Sequence, residues 1–150
     1  SGTVAGAMEG SVLGIRSIAL SQAFSMKTRQ APLWETSLQH GPSVIRKVLA
    51  AELPSSTIVN INFPDCPPDE VVGVLVTRQG KRNQDLLRVD ARNDGRGNPY
   101  HWIAYDRRER PAPGRGTDLA ALADNRISVT PLRLDMTDEP FMTRLAGVLK

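Results

Sequence analysis

The sequence contains one cysteine, Cys66, and two histidines, His40 and His101. A single thiol excludes an internal disulfide and a cysteine-based zinc site. The histidines stand in no metal-ligand spacing, and His101, between Tyr100 and Trp102, fits hairpin packing better than catalysis. No run approaches the roughly 18 uninterrupted apolar residues of a membrane span, and the start lacks the basic-then-apolar pattern of a signal segment. A soluble, cytoplasmic protein is the expectation. There is no Gly-Lys-Ser or Gly-Lys-Thr of a Walker loop, and no Ser-His-Asp order. There is also no initiator Met: the chain opens directly on a helix start, as a processed or excerpted chain would.

What is present suffices for one domain with a true core, at 150 residues and 40% hydrophobic. The net charge of +3 is unevenly spread, because ten of the nineteen Lys and Arg residues lie between Arg78 and Arg115, against five acids. That stretch has no continuous basic helix and no repeated aromatic stacking pattern, so it reads as a solvated arm. A nucleic-acid-binding module remains the alternative, marked by a steep salt dependence of affinity.

Glycines at 2, 6, 10 and 14 fall on one stripe of a first helix, a smooth face suited to close packing on a sheet. Residues 15–21 read as a short strand, 22–34 as a surface loop, and 42–53 as a helix with Pro42 in its first turn and Pro54 after its end. Residues 57–63 and 71–77 read as strands, the second nearly continuously apolar. Helix and strand alternate, which predicts an α/β sheet with helices on its faces. Residues 79–116 turn polar and rich in Gly and Pro, with strands at about 85–91 and 99–105 around Asn93-Asp-Gly-Arg-Gly97, a protruding hairpin. A helix at 117–123, a strand at 127–132 and a final helix at 138–149 complete the pattern.

Few residues invite chemistry. Ser1, Gly2 and Thr3 open a glycine-rich helix, and a first turn offers unpaired N–H groups and the positive dipole end to an anion. The competing reading is a plain helix cap. Asn60 and Asn62 share one face of their strand and either line a site or serve structure; the structural role is preferred. Asp138 and Glu139 sit at a helix start, where the dipole explains them.

In sequence order, Ser1-Gly-Thr-Val-Ala-Gly-Ala-Met-Glu-Gly10 with Ile18-Ala-Leu-Ser21, Asn60-Ile-Asn-Phe-Pro64, Val76-Thr-Arg-Gln-Gly80, Asp94-Gly-Arg-Gly-Asn-Pro-Tyr-His-Trp-Ile103 and Ile127-Ser-Val-Thr-Pro-Leu132 resemble the motifs of the SurE family. The resemblance covers nearly the whole chain as the carboxy-terminal part of such a protein. It implies a Rossmann-like three-layer α/β core at 1–78, an oligomerisation arm at 79–116, and a return strand and carboxy-terminal helix at 117–150, the tail being swapped between subunits. It also implies a phosphomonoester hydrolase acting on nucleoside 5′- and 3′-monophosphates, assembled as a homodimer or tetramer through the hairpin and the tail. The divalent metal, Mg or Mn, is held in the family by an Asp-Asp pair, a Ser and an Asn upstream of the Ser-Gly-Thr motif, so no metal ligand is expected in this chain. Ser1, Gly2 and Thr3 are carried over as the phosphate-side loop, and no catalytic residue is assigned. An inactive assembly fragment that binds no phosphate is the other alternative.

Overall fold

The computed structural model describes residues 1–81, 87–105 and 113–150. Four strands form the main sheet in the order β1-β2-β6-β3: β1 Ile18–Gln22, β2 Thr57–Phe63, β3 Gly73–Val76 and β6 Arg126–Arg133. β1 runs parallel to β2, β6 returns antiparallel to β2, and β3 runs parallel to β6. β4 Leu87–Asn93 and β5 Pro99–Tyr105 pair separately as an antiparallel hairpin.

Alternation along β2 assigns the two faces of the sheet. Val59, Ile61 and Phe63 pack with Ile127, Val129 and Val44 of α2 (Trp34–Ala50). Ile58, on the opposite face, packs with Ala19 and with Ala7 of α1 (Gly2–Val12). Helices therefore cover both faces, the layered α/β arrangement expected from the sequence. Ile58, Ile61, Phe63 and Ile127 are each at most 1% exposed, and such a side chain contributes about 1.5–3 kcal/mol on burial.

The first strand starts later than its apolar pattern suggests. α1 ends at Val12, Gly14 with a φ of 79° turns the chain, and Ile15 donates its N–H to the Gly10 carbonyl at 2.9 Å, so residues 15–17 lead across to β1. The glycine stripe is only partly a packing face. A Cβ on Gly10 would sit 2.5 Å from Ser17 Oγ, whereas Gly2 and Gly6 have nothing within 4 Å.

The second helix corrects the expectation at both ends. It begins at Trp34, eight residues before Pro42, and closes at Ala50 rather than 53. Leu33 caps it without a side-chain bond, so no Ser, Thr, Asp or Asn marks its start. Packing holds the first turns instead. Buried Thr36 donates its hydroxyl to the Cys66 carbonyl, His40 Nε2 donates to the Pro68 carbonyl at 2.9 Å, and Gly41 lies beside the Phe63 ring. Pro42 forfeits the N–H that would reach Leu38, on a turn whose side chain is 73% exposed, so water can satisfy the freed carbonyl.

The run 71–77, expected as one strand, yields the shorter β3, Gly73–Val76, at a sheet edge with Val74, Leu75 and Val76 exposed. α3 (Asp118–Ala123) packs on β6 and is capped by Thr117, whose Oγ1 accepts from Ala120 N at 3.2 Å. α4 (Glu139–Val148) is capped by Asp138, whose Oδ1 accepts from Phe141 N at 3.0 Å, and it buries none of its residues. Residues 85 and 86 of the expected hairpin strand lie outside the described residues, as do Arg82 and 106–112 of the basic arm.

Candidate functional site

α1 runs antiparallel to β1 and β2, and two contacts fix its direction. Ser11 Oγ, near its end, donates to the Ser55 carbonyl just before β2 at 3.2 Å, and residues 15–17 lead directly into the start of β1. The amino end of α1 therefore points toward the carboxyl ends of β1 and β2, where open α/β sheets place their ligands.

At that end Ser1 is the cap: its Oγ accepts from Val4 N at a long 3.5 Å, and its carbonyl accepts from Ala5 N at 3.0 Å. Thr3, weighed as a cap from the sequence, stands two positions past the cap. Ser1, Gly2 and Thr3 are exposed, and the N–H groups of Gly2 and Thr3 precede the first residues that can find an intrahelical acceptor. The empty space over Gly2 leaves the helix end open to close approach.

The loops around it are tied together. Gln22 Nε2 donates to the Pro64 carbonyl at 2.7 Å, joining the carboxyl ends of β1 and β2, and Thr28 Oγ1 donates to Asp65 Oδ1 at 2.7 Å. Gln22 Oε1 is buried with no partner among the described residues. Cys66, buried beside this loop, has its thiol pKa raised by burial and then by the negative charges of Glu70, Asp65 and Asp69, which keeps it protonated and unreactive.

The structure separates the two histidines from this end. His40 anchors α2 to the segment after β2, and His101 lies on β5 opposite Ala91. Asn60 and Asn62 stand half-buried on the α1 face of β2, opposite Thr130 and Ser128 of β6. Behind them Thr77 Oγ1 lies 2.8 Å from Ser128 Oγ and 2.6 Å from Thr130 Oγ1, a buried hydroxyl triangle that sequence reasoning missed. The signal was the Ser128-Val-Thr130 alternation, which puts two hydroxyls on one face of an otherwise apolar strand. Among the described residues no three His, Cys, Asp or Glu side chains gather as a metal ligand set, and no helix is long and apolar enough to cross a membrane.

In the hairpin, Asp94 closes the turn by accepting from Arg96 N and Asn98 N, each at 2.8 Å, and from Asn98 Nδ2 at 3.0 Å. These donors, Asn98 first, hold its carboxyl pKa below the usual range. Arg92 stacks over Trp102 at 5.3 Å from the ring centroid, while Val89, Trp102 and Ile103 are 60%, 52% and 65% exposed.

A mixed sheet with helices on both faces and an open helix start at its strand ends defines an α/β protein with a candidate anion site. The family model for Survival protein SurE matches residues 1–85, and the chain belongs to the SurE family. It is 61% identical over 150 residues to the 5′-nucleotidase SurE of Rhodopseudomonas palustris strain TIE-1, covering 99% of this chain and 59% of that protein. Over 149 residues it is 60% identical to the 5′-nucleotidase SurE of Methylocella silvestris, covering 99% of this chain and 58% of that protein. The crystal structure of the SurE protein from Aquifex aeolicus superposes with a TM-score of 0.76 at 38% identity, over 100% of this chain and 58% of that one. The chain thus spans about three fifths of the length of these relatives.

Proposed function

We propose that a protein built on this chain hydrolyses the phosphomonoester of nucleoside 5′- and 3′-monophosphates, and that Ser1, Gly2 and Thr3 form its phosphate-side loop. The observation that carries this reading is the orientation of α1, whose exposed start opens at the carboxyl ends of β1 and β2. There the N–H groups of Gly2 and Thr3 and the Thr3 hydroxyl donate to phosphoryl oxygens, and the helix dipole favours the developing negative charge. The relatives are named 5′-nucleotidases, which supports nucleoside 5′-monophosphates as the substrate class.

A divalent metal, Mg or Mn, belongs to this reading and supplies Lewis-acid polarisation when bound. The described residues do not fit it, since they gather no ligand set. Its ligands belong to the upstream segment, and the chain's own groups are left with anion binding alone. Residues 1–78 then serve as the core carrying the loop, and 79–116 as the assembly arm. The hairpin and the tail, with the unburied apolar residues Phe141, Met142 and Leu145 of α4, join copies into a cytoplasmic homo-oligomer.

The test is hydrolysis of a nucleoside monophosphate with added manganese or magnesium, by the 150-residue chain and by a form carrying the upstream segment of its relatives. The longer form is expected to turn over substrate and the shorter one to be inactive. Comparable turnover by the short chain would place the metal-binding groups within it and overturn the assignment.

A further inference from the structure

The α1 face of the main sheet carries a polar field that neither helix covering explains. Pairing across the strands sets out two rows: Ala19, Asn60 and Thr130, with Thr77 beyond, and next to it Ser21, Asn62 and Ser128. Ala19 and Ile58 lie under Ala7 of α1, but the residues further along β2 on this face are amides and hydroxyls. Thr77, Ser128 and Thr130 are 7%, 0% and 2% exposed and close a triangle of oxygens at 2.8, 2.6 and 3.4 Å. Three hydroxyls so arranged satisfy one another and hold β3 and β6 in register behind the two asparagines. Ser21, Asn60 and Asn62 stay half-buried, so their polar groups are reachable from outside.

The level of these rows follows from element geometry. Ser11 is pinned beside Ser55, and a helix rises about 1.5 Å per residue, so the α1 start lies some 15 Å further toward the carboxyl end of β2. A strand rises about 3.3 Å per residue, and β2 begins at Thr57 after the turn at 55–56, so the helix start lies near the level of Asn60 and Asn62, the polar residues at the carboxyl end of β2. No Asp, Glu, Lys, Arg or aromatic residue stands in either row. A phosphate is met by charge or a helix end and a base by stacking, whereas neutral amides and hydroxyls match sugar hydroxyls, which both donate and accept.

We propose that Asn62, flanked by Ser21 and backed by the Thr77–Ser128–Thr130 triangle, reads the ribose hydroxyls of the nucleotide whose phosphate sits at the start of α1, with Asn60 at the junction. This rests on the phosphate reading of α1 and makes Asn62 a specificity residue rather than a structural one.

The experiment uses the protein with its upstream segment and compares kcat/KM for a ribonucleoside 5′-monophosphate with that for p-nitrophenyl phosphate, which has a phosphomonoester and no sugar. Asn62→Leu is expected to lower the ratio of the two efficiencies ten- to hundredfold, the loss typical of one hydrogen-bonding group that reads a substrate hydroxyl. Equal loss on both substrates, leaving the ratio unchanged, would overturn the proposal. Should the variant fold poorly, the wild-type protein decides: a nucleoside without phosphate should shift the Asn62 side-chain amide resonances, and their staying in place would refute the sugar site. Wild-type protein that hydrolyses neither substrate would instead remove the underlying phosphatase reading.

Discussion

The main sheet and the β4–β5 hairpin treat their apolar side chains in opposite ways. On the sheet, Ile58, Ile61, Phe63 and Ile127 vanish from solvent between α1 and α2. On the hairpin, Val89, Trp102 and Ile103 are more than half exposed, and the ribbon's ordered features are polar: the Asp94 turn, the Arg88–Asp90 pair at 2.8 Å and the Arg92–Trp102 stack. A two-stranded ribbon is marginal by itself, and contiguous exposed apolar groups mark interaction surfaces. The contrast teaches a division of labour: the sheet buries its apolar side chains within the chain, and the hairpin leaves its own uncovered by it.

The largest effect should come from the sheet. Phe63→Ala removes a ring packed against Gly41 and is expected to cost about 3–5 kcal/mol in urea unfolding. Trp102→Ala should cost far less in the same measurement; an equal loss would erase the distinction. Replacing residues 84–105 with a short Gly-Ser linker in the full-length protein is expected to lower the molar mass per particle in light scattering while the sheet's unfolding midpoint holds. Unchanged mass, after allowing for the deletion, would show that the hairpin is not the assembly surface.

Two smaller effects depend on pH. The Asp94 carboxyl has a folded pKa below its ordinary 3.8, so its contribution to the turn is present above 3.8 and is lost only as pH falls through the lower folded value. Amide shifts of Arg96 and Asn98 should therefore move below pH 3.8, and a midpoint at or above it would contradict the bonding described. The Cys66 thiol is shifted the other way, above 9.0, so its contribution is full below 9.0 and fades as pH rises through the folded value. Cys66→Ala should flatten the alkaline decline in melting temperature, and an unchanged slope would assign that decline to other groups.

Much of this arrangement was legible in the residues, and the failures have physical causes. Asn93-Asp-Gly-Arg-Gly97 announced the hairpin turn, and Asp138 and Thr117 announced their helix starts, because turn and cap chemistry is local. The first two turns of α2 were hidden, since Leu33 gives no cap signal and their stabilisation comes from Cys66 and Pro68, some thirty residues away. β3 is shorter than its apolar run because apolar continuity does not mark where a strand ends or whether it lies at the centre or the edge of a sheet. Of the candidate site, the open helix start was visible in Ser1-Gly-Thr3. Its direction toward the strand ends was not, because that depends on the Ser11–Ser55 contact across 44 residues of sequence. The hydroxyl triangle joins Thr77 to Ser128 and Thr130 across about fifty residues and was invisible for the same reason.

The most direct test of the site at the head of the sheet is Thr3→Val in the full-length protein, with melting temperature and kcat/KM for a nucleoside monophosphate measured on the same preparation at saturating metal. Ser1 holds the cap, so removing the Thr3 hydroxyl should leave the melting temperature nearly unchanged. As a donor to the transferring phosphoryl group, Thr3 should cost ten- to a thousandfold in efficiency when lost. A lowered melting temperature with unchanged efficiency would make Thr3 a structural residue and remove the phosphate site from this chain.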